Sequence, residues 1–93
     1  MRDDAPQLLG AQKRGLLKLM IRLPALRGGL QILGAQPGLH GVIFLAYDQA
    51  TSMLADLRAT ANERDCDLVL EYEAACRALE TEIIHRCLDF AKA

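Results

Sequence analysis

Residues 66–91 read CDLVLEYEAACRALETEIIHRCLDFA, a stretch with no Gly or Pro to interrupt it. At about 100° per residue, Leu68, Val69, Tyr72, Ala75, Cys76, Leu79, Ile83, Cys87 and Phe90 gather on one stripe, which predicts a long amphipathic α-helix. A second apolar stripe, Leu70, Ile84 and Leu88, lies roughly 120–160° from the centre of the first. A helix with two apolar faces needs two coverings. Either the N-terminal segment covers the second face or another chain does, so Leu70, Ile84 and Leu88 form the candidate interaction surface.

Upstream, Ile43, Ala46, Tyr47, Ala50, Met53, Leu54, Leu57 and Ala61 share a helical face, with Gln49, Ser52 and Asp56 opposite. The segment Asn62-Glu63-Arg64-Asp65 suits a break, because Asn ends helices readily and Asp caps them. These features predict an antiparallel helical hairpin over 39–62 and 66–91. One continuous helix from Leu39 to Phe90 is the rival, since neither Gly nor Pro enforces the stop. Residues 24–41 hold five of the seven glycines and two of the three prolines, and read as a short helix carrying Leu26, Leu30 and Leu33, then a turn at Gly34–Gly38. Residues 6–23 read as a basic amphipathic helix: Leu8, Leu9, Leu16, Leu19, Met20 and Leu23 on one arc, and Arg14, Lys18 and Arg22 opposite. Pro6 suits its first turn, Asp3 and Asp4 suit its positive end, and Gly10 and Gly15 weaken it. Residues 1–5 read as a frayed leader.

Composition supports this all-α reading. The chain of 93 residues has 17 Leu and 14 Ala against ten β-branched residues, so helix formers dominate. That length suits one domain and excludes a multi-domain enzyme. Mean hydropathy is +0.10 and charged residues are 25%, which places the chain among globular proteins. No window approaches the apolar length of a membrane span, and the opening Met1-Arg2-Asp3-Asp4 does not resemble a secretory signal; a cytoplasmic protein is expected. Cys66, Cys76 and Cys87 are odd in number and have no CxxC spacing, so they read as buried free thiols.

Charge is segregated. Residues 1–46 carry six Lys or Arg against two Asp, and residues 47–93 carry five against ten Asp or Glu. Lys13, Arg14, Lys18, Arg22 and Arg27 are the candidate surface for an anionic partner such as nucleic acid or, less favoured, anionic lipid. The acidic flank Asp67, Glu71, Glu82 and Asp89 reads as a solvated face or, more sharply, as one that faces Arg14, Lys18 and Arg22, within the chain or across a dimer. Glu82 and His85 have the E-x-x-H spacing of carboxylate-bridged metal bundles, with Asp89 one turn further, yet they project beside the apolar stripe rather than into it. Cys87 and His85 project about 160° apart and cannot meet within one helix. His40 is left as the only other histidine, and no phosphate-loop or nucleophile-elbow spacing occurs. No catalytic residue, metal or cofactor is therefore expected. The sequence predicts a non-enzymatic interaction or regulatory module, a homodimeric helical bundle that binds another protein. The alternative is a nucleic-acid-associated regulator using the basic first helix.

Overall fold

The computed structural model describes residues 4–60 and 66–92, and among them it is helical with no strand. Helix α1 runs Asp4–Arg22, a 3-10 turn Pro24–Leu26 and the short α2 (Arg27–Gly34) follow, and α3 (Pro37–Thr60) and α4 (Cys66–Lys92) complete the chain. The all-α bundle expected from periodicity is the observed architecture. The proposed break at Asn62–Asp65, Ala61 and the side chains of Leu8 and Phe90 lie outside the described residues, as does Asp3. Helices α3 and α4 nevertheless run antiparallel, because Tyr47 meets Glu80 and Arg58 meets Glu73. A single continuous helix is thereby excluded.

Helix α3 starts at Pro37, two residues earlier than the sequence reading placed it. Proline fits the first helical position, where a missing N–H leaves no bond unmade, and the carbonyl of Gln36 accepts the N–H bonds of Leu39 and His40. The turn between α2 and α3 thus shrinks to Ala35 and Gln36, and Gly38 and Gly41 belong to α3. None of the glycines among the described residues has positive φ, so they are not turn formers here.

Gly15 shows what one of them does instead. A Cβ at this position would collide with the Phe44 carbonyl of α3, so the missing side chain lets the two backbones touch. Ala11, Gly15 and Leu19 form the buried seam of α1, whereas Leu9, Leu17 and Ile21 are exposed. Leu9 therefore leaves the apolar arc on which the sequence placed it, because a small-residue seam permits closer helix contact than a leucine seam. Helices α1 and α3 run parallel, as the pairs Gly15–Phe44 and Lys18–Thr51 require. A parallel pair needs a return segment between its members, and Pro24–Gly34 supplies it.

Leu19, Leu30, Leu33 and Ile83 are the fully buried side chains at the centre, one from each of α1 and α4 and two from α2. Phe44, Tyr47, Cys76 and Cys87 surround them. The molecule measures 46 × 34 × 17 Å, with a radius of gyration of 14.3 Å. Two helix layers spaced about 8–10 Å apart account for the short dimension. Helix α1 packs along α3, α2 touches both α3 and α4, and α1 reaches α4 through Arg22 and Glu80. No helix among the described residues is long and apolar enough to cross a membrane.

Candidate protein-interaction surface

Charge chemistry concentrates on the covered side. Asp48 is buried, with Lys18 Nζ 2.9 Å from its Oδ1 and Arg14 Nη2 3.4 Å from its Oδ2. The Lys18 contact is Coulombic rather than an aligned hydrogen bond. Its ammonium donates to Thr51 Oγ1 at 2.8 Å and Ser52 Oγ at 3.2 Å. Arg22 lies 3.5 Å from Glu80, which also accepts a 2.7 Å hydrogen bond from the Tyr47 hydroxyl. Burial, followed by that bond to Glu80, pushes the Tyr47 phenol well above its ordinary range.

These contacts revise the expected charge pairing. Arg14, Lys18 and Arg22 pair with Asp48 and Glu80, not with the flank of Asp67, Glu71, Glu82 and Asp89, and the Arg14 and Arg22 side chains stay largely exposed. Helix α3 lies alongside α1 and meets its cations first, whereas the acidic flank points away from α1. Arg27 donates to the Met20 carbonyl at 3.3 Å, and Lys13 is exposed. Three of the five cations marked for an anionic partner are therefore engaged within the chain. Periodicity missed Asp48 and Glu80 because each lies beside an apolar stripe; the i, i+4 repeat of Arg14, Lys18 and Arg22 was the available signal that carboxylates should face it.

The remaining candidate groups do not converge on a reactive centre. Glu82 accepts from Arg86 Nε at 2.9 Å, and His85 and Asp89 are exposed. Among the described residues, no group of three or more His, Cys, Asp or Glu side chains is placed to hold a metal ion. His40 Nδ1 lies 3.1 Å from Arg86 Nη1, and since guanidinium can only donate, the imidazole accepts and is neutral there. Burial, then the charge of Arg86, lowers its pKa below the ordinary histidine value. Cys76 and Cys87 are buried and burial raises their thiol pKa values, so neither is a ready thiolate. Cys66 departs from the buried-thiol expectation: it opens α4 and is exposed.

The surface that stands out is apolar. On α3, Leu39 and Val42 are 72% and 77% exposed, and Met53 joins them. With Ala46 they share an arc of about 60° that lies roughly opposite the side facing α1, where Gly41, Phe44 and Asp48 sit. Met53 thus leaves the core face to which periodicity assigned it. On α4, Glu80 and Arg77 border a cleft with Arg22 of α1, and Leu68, Tyr72, Ala75 and Leu79 share the other flank. Leu68 and Ala75 are exposed, while Tyr72 and Leu79 are half-buried against the core. The apolar arcs of α3 and α4 are wider than their mutual contact, and their outer portions flank a shallow groove.

The predicted interaction residues lie elsewhere on α4. Leu70 and Leu88 are 60% and 49% exposed, and Ile84 is half-buried. Leu70 and Leu88 stand about 27 Å apart along the helix axis, with exposed Arg77 and Thr81 on the same line between them. That stripe is broken by polar side chains, and exposed Gln49 likewise stands between Val42 and Met53 on α3, so the two faces differ in the exposure of their apolar side chains rather than in continuity. Compared with known proteins, the chain matches no family model, no curated relative and no solved structure.

Proposed function

We propose that this protein is a small non-enzymatic interaction module that binds another protein through the groove between α3 and α4. The observation that carries the reading is the exposure of Leu39, Val42 and Met53 on the flank of α3 opposite α1. Large apolar side chains exposed along one flank of a helix pair suit a binding surface, and helix pairs with an open groove commonly receive a further helix. The neutral, arginine-bound His40 and the buried thiols of Cys76 and Cys87 favour a binding role over catalysis. Engagement of Arg14, Lys18 and Arg22 with Asp48 and Glu80 weighs against a nucleic-acid role, because those cations would have to leave their carboxylates.

Binding of an environment-sensitive apolar dye by the folded protein tests the reading. The wild type should enhance its fluorescence while unfolding cooperatively, and Val42→Glu should abolish most of the signal without lowering Tm. A folded wild type that leaves the dye dark overturns it. Pairing of two copies through Leu70, Ile84 and Leu88 is the second reading, favoured by the exposure of Leu70 and Leu88. It predicts a light-scattering mass near twice 10.2 kDa that Leu70→Asp returns to the single-chain value.

A further inference from the structure

Resting on the interaction reading, we infer that the partner segment in the α3/α4 groove is a basic amphipathic helix. The apolar half of the argument sets its shape. Leu39 and Met53 are 14 residues apart on α3, about 21 Å, which four turns of helix would cover. The matching apolar side chains would fall at i, i+3 or i+4, and i+7, the pattern by which a helix fills a groove between two others.

The charged half sets its chemistry. Glu71 and Asp89 are exposed on α4 within about 60° of the arc of Leu68, Ala75 and Leu79, and Glu82 on the same flank is paired with Arg86. Asp56 is exposed on α3, one turn beyond Met53. Of the neighbouring cations, Arg58, the only cation of α3, pairs with Glu73 at 2.6 Å, and Arg86, held by Glu82 and His40, neutralises Glu82, so Glu71, Asp89 and Asp56 carry the charge of the rim. The cations of α1 lie on the opposite side of the hairpin with Asp48 and Glu80. An acidic rim around an apolar groove complements lysine or arginine flanking an apolar stripe. Two copies meeting through this same face would bring acidic rim against acidic rim, so charge disfavours a second copy as the occupant.

Fluorescence anisotropy with synthetic labelled helices decides the matter. Three 18-residue peptides serve as probes: one with a leucine stripe and Lys/Arg flanks, one with the same stripe and Glu flanks, and a scrambled basic peptide lacking the stripe. The basic amphipathic helix should bind about tenfold or more tightly than the acidic one at low salt, the rim carboxylates each contributing a factor of a few. That preference should shrink as salt rises. Val42→Glu should remove the binding, and Glu71→Lys with Asp89→Lys should narrow or reverse the preference while leaving the dye response of the open face intact. Equal or tighter binding of the acidic helix overturns the inference, as does equal binding of the scrambled peptide. Binding of none of the three overturns it too, and the dye response then reports separately whether the groove is open. A wild-type mass near twice 10.2 kDa that Val42→Glu halves also overturns it, by placing a second copy in the groove.

Discussion

The two sides of the α3/α4 hairpin both carry apolar side chains but are closed differently. Towards α1, the seam of Ala11, Gly15 and Leu19 packs against Phe44, and polar groups at its margin are joined by named bonds to Asp48 and Glu80. On the opposite side, Leu39, Val42 and Met53 stand in solvent beside carboxylates that no α1 cation reaches. Hydrophobicity alone therefore does not decide which apolar residues of this chain are covered. Backbone approach and charge placement do, since only one side offers a glycine where another helix can come close and cations that match its carboxylates.

The largest expected contrast is between truncations on the two sides. Leu33→Ala should lower unfolding free energy by about 2–5 kcal/mol, because its site is fully enclosed, while Val42→Ala should change it by less than about 0.5 kcal/mol. Urea titration followed by circular dichroism measures both, and comparable losses would mean that the outer face is part of the core. Next comes the seam. Gly15→Ala should destabilise by about 1–3 kcal/mol through collision with the Phe44 carbonyl. Gly10→Ala, whose Cβ would meet nothing nearer than the end of Arg14, should stabilise by about 0.5–1 kcal/mol. The same titration separates them, and like signs would break the distinction.

Asp48→Ala should cost about 1–2 kcal/mol, less than the roughly 3–5 kcal/mol of a fully buried pair because Arg14 and Lys18 remain partly solvated. Thermal melts at low and high salt check it, and an unchanged Tm would show that the covered side is held by apolar packing alone. The smallest effect concerns His40. Its folded pKa lies below its unfolded value, so the unfolded chain takes up the proton first as pH falls through about 6.5, and stability declines from there until the folded form also protonates. Urea midpoints at pH 7 and pH 5 should show this slope, flattened in His40→Gln, which can still accept from Arg86.

Much of the bundle was legible from side-chain period alone. The 26 residues from 66 to 91 admit no strand and no break, and the stripe from Val69 through Cys76 and Ile83 to Cys87 marks a buried face whatever packs on it. The short helix around Leu30 and Leu33 was legible for the same reason. Pro37 was less so, since proline serves turns and first helical positions alike. Gly15 was misread because intrinsic propensity counts a helical glycine as a weakness, and only the neighbouring backbone reveals its use.

The candidate surface divides along the same line. The acidic flank of Glu71, Glu82 and Asp89 and the basic repeat of Arg14, Lys18 and Arg22 were both visible in sequence, yet their mutual pairing was not realised, because helical projection orders residues around one axis and carries no information about which axes are neighbours. By itself the sequence determined that the chain is helical, where its long helices run and which positions could be apolar faces, since these depend on local propensity and period. Tertiary structure alone decided that α1 lies along α3, that Asp48 and Glu80 receive the cations, and that Leu39, Val42 and Met53 are left open on α3. Those outcomes depend on contacts between residues 30 to 58 positions apart, which no local period encodes.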